Sequence, residues 1–286
     1  MNEQFEVIKS TGEKAPFSLN KLKASLKKSG ANDQVVEHIV QIIKNELYPE
    51  ITTEEIHNRA FALLKRERSV FASKYKLKKA IYELGPTGFP FERFVGQLLK
   101  YSGYTVEVGQ TVQGFCVKHE IDVLAENSDR FILVECKFHG DKTKKCNVKD
   151  PLYLHSRYND VQKRWNGTHG KKPLKEVWLV TNTRFTADAL QYGKCAGLFL
   201  LGWNHPKNDA LKDRIDRLGL YPITVSTLLT KREKEFLLSR DVVLCRQLLG
   251  DRFFLDHLGI SDTRKKRILD EMNMLCTHND LENAND

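Results

Sequence analysis

The chain has 286 residues, 41% of them hydrophobic and 29% charged, a globular balance with length enough for two or three domains. Its net charge of +9 and pI near 9.1 argue against an acidic, solvating chain and favour a polyanionic partner. No run of about 18 apolar residues occurs and MNEQFEV is no signal peptide, so a soluble, cytoplasmic protein with no membrane partner is expected. The six cysteines show no C-x-x-C spacing, which predicts reduced thiols and neither a disulfide framework nor a zinc site.

Residues 1–84 read as one unit. FEVIKSTGEKAPF predicts a hairpin about Thr11-Gly12, and Ser18 offers an N-cap to a helix that ends at Gly30. A second helix is expected from Asp33 to Leu47. A third opens on the capping-box pattern Thr52-x-x-Glu55, and a fourth covers Val70–Leu84. GPTGFP (85–90) then breaks helical structure and reads as a stiff boundary. VIKSTG (7–12), FSLNKL (17–22) and ITTEEI (51–56) resemble the ATP-cone, a regulatory nucleotide-binding module. The resemblance implies that Val7 and Lys9 line a nucleotide pocket, that Lys21 meets phosphate and that Thr53 helps hold base or phosphate. ATP or dATP would be the regulatory ligand. Ser10 and Ala15 depart from the module's pattern, where a basic and an acidic residue are usual. A lysine at a helix start is a sound phosphate contact, although Lys9 and Lys21 taken alone are ordinary surface lysines.

Next come a helix over 90–102, strands at 104–109, 115–125 and 130–138, a helix over 151–165, a strand at 176–182, a helix over 185–195 and a strand at 197–201. The order predicts an α/β fold with a mixed sheet and a crossover helix. FILVECKF (131–138) is apolar except for one acid and one base. Strand alternation puts Glu135 and Lys137 on one face and Cys136 on the other. ENSDR (126–130) is a turn, and antiparallel pairing across it brings Asp122 beside Glu135. Two such carboxylates repel unless a cation sits between them, and oxygen-only ligation suits Mg²⁺ or Mn²⁺. A neighbouring lysine then holds or deprotonates the attacking water, the apparatus of metal-assisted phosphodiester hydrolysis. E-x-K alone is more often an edge-strand ion pair; the ordered set is what carries the reading.

From His139 to Lys175 there are ten Lys/Arg against three Asp, so positive charge gathers beside the E-x-K strand. Lys142, Lys144 and Lys145 are the nearest candidate DNA contacts. Arg157 and Asp160 lie three apart on one helix, so Arg157 serves either a phosphate or a structural pair with Asp160. Simple alternation puts His119 opposite Asp122, a structural place unless a bulge intervenes. The segments FPFERFVGQLLKYSGYTVE, HEIDV, ILVECKF and TNTRFTADAL together resemble the PD-(D/E)XK nucleases of Mrr restriction type, over about 89–203. The resemblance implies that Asp122 and Glu135 ligate metal, that Lys137 is the catalytic base and that Glu92 is an auxiliary ligand.

From Asn204 to Asp286 the chain reads as helical and rich in charge, with a basic run at Arg264–Arg267 and a polar end (277–286) expected to fray. Short helices broken by glycine are similar to helix-hairpin-helix modules, with Arg264, Lys265, Lys266 and Arg267 as phosphate contacts; a packing or dimerisation domain is the alternative. The expectation is a magnesium-dependent endodeoxyribonuclease of restriction and defence type, regulated by ATP or dATP and homo-oligomeric. The alternatives are a nucleotide-responsive DNA-binding regulator with a silent nuclease fold, a structure-selective DNA nuclease, or an RNase.

Overall fold

The computed structural model describes residues 5–9, 11–166 and 172–277. Strands β1 (Glu6–Ile8) and β2 (Lys14–Pro16) form the N-terminal hairpin, and helices α1 (Leu19–Lys28), α2 (Asp33–Asn45) and α3 (Thr53–Glu67) pack behind it. Ser18, Asn32 and Thr52 cap the three helices, and Thr52 and Glu55 close a reciprocal capping box. Apolar residues at helical spacing (Leu22, Leu26, Val36, Ile39, Ile43, Ile56, Leu63) meet in one core. The single helix expected over 70–84 is two, α4 (Ser69–Tyr75) and α5 (Leu77–Tyr82). The chain turns at Lys76, whose Nζ donates to Ser226 O at 3.3 Å.

Helix α6 (Phe89–Lys100) leads into a five-stranded mixed sheet of order β3-β4-β5-β7-β9. Its antiparallel half is β3 (Thr105–Gln113), β4 (Lys118–Glu126) and β5 (Phe131–Lys137). Its parallel half adds β7 (Leu174–Thr181) and β9 (Phe199–Leu201). The crossovers are α7 (Lys149–Trp165) and α8 (Ala187–Cys195), with a two-stranded parallel ribbon of β6 (Lys145–Cys146) and β8 (Arg184–Phe185) beside them. Helix α6 covers one face of the sheet through Phe91, Phe94, Val95 and Leu98. Helices α7 and α8 cover the other through Leu154, Val161 and Ala189. The α/β class expected from element order is the one observed.

Helices α9 (Leu211–Leu218), α10 (Lys231–Ser239), α11 (Cys245–Gly250), α12 (Phe253–His257) and α13 (Asp262–Cys276) complete the described chain. Their apolar residues share one core with α5, α6 and the sheet face that α6 covers. The segment DVVL (241–244), expected to be helical, is extended at Val242–Leu244. There Ile223 N–H donates to Val243 O and Cys245 N–H to Tyr221 O, and β-branched valines favour the strand-like path. The polar end beyond Thr277 lies outside the described residues, as does Lys171 of the basic stretch.

Candidate active site

The site begins with a break in strand alternation. Val108 of β3 and Val123 of β4 face the α6 core, yet Val112 and Ile121 face the α7 core, although each pair is separated by an even number of residues. Pairing between β3 and β4 runs on both sides of Gly109 and Asp122 and skips those two residues. Gly109 has φ +67°, a conformation that costs glycine little and other residues more, so both strands roll over together there. Ladder pairing of β4 with β5 also ends at Val123. Asp122 is thereby freed, and its Oδ2 accepts the Cys136 N–H at 2.6 Å. Strand β3 runs four residues past its expected end because Gly109 is this hinge and not a terminus.

Strand β5 alternates as expected. Val134 and Cys136 turn to the α6 core, and Leu133 to the α7 core. Glu135 ion-pairs with Arg157 of α7, and Lys137 Nζ lies 3.6 Å from Asp150 Oδ1 at the start of α7. Glu92, on the first turn of α6, completes a group of three half-buried carboxylates from α6, β4 and β5. Burial, then the charge of Asp122, pushes Glu135 up to about 7. Glu92 rises to about 7 through burial, with Asp122 and Glu120 adding to it. Asp122 is also raised by burial, against the pull of the Cys136 N–H and Arg157. Three oxygen donors that resist ionising together fit a hard divalent cation, which would discharge the repulsion.

Arg157 is the cation that touches this group. Besides Glu135, it donates to Glu120 O and Tyr153 Oη, each at 2.9 Å. The alternative pairing of Arg157 with Asp160 is not formed. Asp160 turns instead to the β3–β4 turn, accepting from His119 Nε2 at 2.7 Å and from the Cys116 N–H at 2.8 Å. The His119 hydrogen bond leads the effects that hold the Asp160 carboxyl well below its usual range. His119 thus has a structural place, on the α7 face. Lys142 and Lys144, on the loop after β5, and Lys145, which opens β6, are all exposed. That loop reaches the N-terminal unit electrostatically: Lys142 adds to the burial that lowers His57 and Lys78.

In the N-terminal unit, Ile8 N–H donates to Ile51 O at 3.1 Å, which seats β1 beside the start of α3. Lys9 and the exposed Thr53 therefore share one end of the unit, while Lys21 stands on the first turn of α1. Lys9 pairs with Glu13 at 3.3 Å. Val7 is buried in the helical core beside that end. Near the carboxyl terminus, Arg264 is spent on Glu233 (2.5 and 2.6 Å) and on Leu228 O, and Lys265 on Asp256 and Asp262. Lys266 and Arg267 are exposed. Periodicity could not have shown that the first two of this basic run are structural.

The comparisons with known proteins agree with this layout. Residues 5–82 match the ATP cone domain, 86–202 the Mrr catalytic domain of restriction endonucleases, and 221–276 the AF1548-like C-terminal domain. An uncharacterized protein of Archaeoglobus fulgidus is 31% identical over 178 residues, which span 62% of this chain and 97% of that one. The crystal structure of AF1548, a protein of unknown function, is similar with 29% identity and a TM-score of 0.54, covering 66% of this chain and 98% of that one. The DNA modification-dependent restriction endonuclease AspBHI is more distant, at 14% identity and TM-score 0.31, covering 71% of this chain and 40% of that one.

Proposed function

Since the chain belongs to the AF1548-like family and joins an ATP cone to an Mrr-type restriction endonuclease domain, we propose that it is a nucleotide-regulated, Mg²⁺- or Mn²⁺-dependent endodeoxyribonuclease. Its parts are the cone (1–84), the nuclease domain (89–203) and a helical domain (204–286). The observation that carries the reading is that Glu92, Asp122 and Glu135, from three elements, lie near enough for their charges to raise one another's pKa values, with Lys137 turned to α7 like Glu135. Asp122 and Glu135 would hold the cation and Glu92 would assist. The ion supplies Lewis-acid stabilisation of the phosphate and an acidified water. Lys137, half exposed and in a long contact with Asp150, would orient an attacking water or take its proton. Arg157 offsets carboxylate charge from the α7 side. The exposed Lys142, Lys144 and Lys145 supply sequence-independent phosphate contacts beside the site. Lys266 and Arg267 remain candidates for more distant ones, and a role in DNA restriction or defence fits the same reading.

The direct test incubates the full chain with plasmid, linear duplex, single-stranded DNA and RNA, in Mg²⁺ or Mn²⁺, with and without ATP and dATP. DNA cleavage that EDTA abolishes is expected. Cutting of RNA alone would turn the reading to an RNase. DNA binding that nucleotide modulates, with no cleavage of any substrate, would favour the silent regulator.

The carboxylates also predict a pH signature. Glu92 and Glu135 have folded pKa values of about 7, above their ordinary value of 4.5. Below the ordinary value both are protonated in either state and the stability they contribute is fully present. As pH rises through about 7, the folded state must give up protons that the unfolded chain has already lost, and that stability disappears. Mg²⁺ should therefore raise the thermal midpoint more at about pH 8 than at about pH 5. An equal rise at both, followed by differential scanning fluorimetry, would separate the cation from these carboxylates.

A further inference from the structure

Behind Lys137 the structure gathers three side chains whose chemistry differs from that of the carboxylate site. His139, Cys146 and Asp150 each place one donor atom within 4.8 Å of the others, and His139 Nε2 lies 3.4 Å from Cys146 Sγ. They come from the loop after β5, from β6 and from the first turn of α7.

Each is held from behind. Asn182, fully buried, accepts the His139 N–H and donates to His139 O, both at 2.9 Å. Cys146 is fully buried and pairs with Phe185 across the β6–β8 ribbon, and its carbonyl accepts the Thr186 N–H at 2.9 Å. Asp150 Oδ2 accepts the Asn147 N–H at 3.1 Å, while Oδ1 is 3.6 Å from Lys137 Nζ. Backbone clamps of this kind fix the orientation of a ligand set before any ion arrives.

We propose that His139, Cys146 and Asp150 form a binding site for a borderline-soft divalent cation of the zinc class, which fastens the root of the basic loop to α7. Thiolate and imidazole donors select such ions over Mg²⁺, whereas Glu92, Asp122 and Glu135 offer oxygen alone. A tetrahedral zinc site, with bonds of about 2.3 Å to sulfur and about 2.0 Å to nitrogen, sets those two donors about 3.5 Å apart. The observed spacing of 3.4 Å already meets this. It equally suits an S–H···N hydrogen bond, so the cation would take the place of that proton. Thiolate and carboxylate then neutralise the divalent charge, with the imidazole neutral. Burial lowers the His139 pKa and so favours the neutral ligand form. Burial also pushes the Cys146 thiol up to about 12, so binding must release its proton. Apparent affinity should climb about tenfold per pH unit while that proton is displaced. Absence of C-x-x-C spacing had argued against a zinc site; the three donors are collected by a loop, a ribbon and a helix start, which no short motif records.

The test uses the full chain, freed of metal by a chelator and titrated with Co²⁺ or Zn²⁺ in Mg²⁺ buffer. About one equivalent of Zn²⁺ should be retained, and Co²⁺ should give a thiolate-to-metal charge-transfer absorption. Cys146→Ser and His139→Gln should each abolish that absorption, and Asp122→Asn should keep it. Half-buried His139 is the safer substitution, and circular dichroism verifies folding of every variant. No charge-transfer absorption on folded wild type at saturating Co²⁺ overturns the proposal, as does absorption that survives Cys146→Ser. Loss of the signal in Asp122→Asn overturns the separation of the two sites. None of these readouts depends on nuclease activity, so failure here leaves the cleavage assay to judge that reading separately.

Discussion

Lys137→Ala is expected to lower DNA cleavage by about 10²–10⁴-fold, the usual range for losing a positioned acid–base or charge-stabilising group. Its melting temperature should stay close to that of the wild type. The side chain is 47% exposed and its ion pair with the part-buried Asp150 is long at 3.6 Å, so its removal costs little. The carboxylates are less clean probes. Glu135→Ala should also abolish cleavage, but it leaves the part-buried Arg157 without its carboxylate partner, in a guanidinium whose Nε is already unsatisfied. Asp122→Ala removes the acceptor of the Cys136 N–H and at the same time relieves repulsion on Glu135 and Glu92. Its stability is the balance of two opposed terms. Single-turnover cleavage at saturating Mg²⁺, read beside thermal denaturation of each variant, separates chemistry from folding. Lys137→Ala protein that cuts at a rate comparable to wild type would remove this lysine from the mechanism.

That contrast shows what periodicity carries and what it does not. Glu135 and Lys137 sit two apart on a strand, so their common face follows from the pleat alone, and the short ENSDR turn brings β4 back beside them. Asp122 was legible as a candidate, but its freedom from the ladder was not. It depends on Gly109 rolling β3 over at the level of Asp122, two unpaired residues that lie 13 positions apart in sequence. The partners of Arg157 were equally hidden. Helical spacing puts Asp160 within reach, yet Asp160 is drawn away by His119 and two backbone N–H groups of the β3–β4 turn. Local rules name the groups on one element; which of two available partners wins is decided by what the other element brings. The helical domain is the extreme case. Its amphipathic segments announced helices but not the face they cover, and the structure seats them on α4, α5 and α6 through a polar hub that no motif suggests.

At that hub stands Glu271, 1% exposed on α13. Its carboxylate accepts from Ser73 Oγ of α4 (2.9 Å), from Ser226 Oγ (2.5 Å), and from the N–H (3.2 Å) and Oγ1 (2.8 Å) of Thr227. Beside it Thr224 Oγ1 donates to Ala80 O at 2.7 Å, and Lys28 meets Asp213 at 3.1 Å. The ATP cone is thus tied to the helical domain, which is tied in turn to Glu92's helix by the Arg93–Asp241 ion pair and a shared core. Glu271→Ala should destabilise the chain by about 2–4 kcal/mol, because several buried donors lose their acceptor together. Glu271→Gln keeps the shape and is the variant for function. A nucleotide alters the nuclease only if it binds one arrangement of cone and nuclease better than another, and tight but equal binding shifts nothing. We expect ATP or dATP, at fixed excess Mg²⁺, to restrain cleavage by wild type. Lys9→Ala and Lys21→Ala should lose that response by losing the ligand. Glu271→Gln should still bind nucleotide by calorimetry and cut DNA at the basal rate, but with the response reduced, because the rigid path from cone to α6 is loosened. If Glu271→Gln binds nucleotide and responds as fully as wild type, coupling runs through the 85–90 linker alone, and the helical domain is a support for the nuclease without a part in its control.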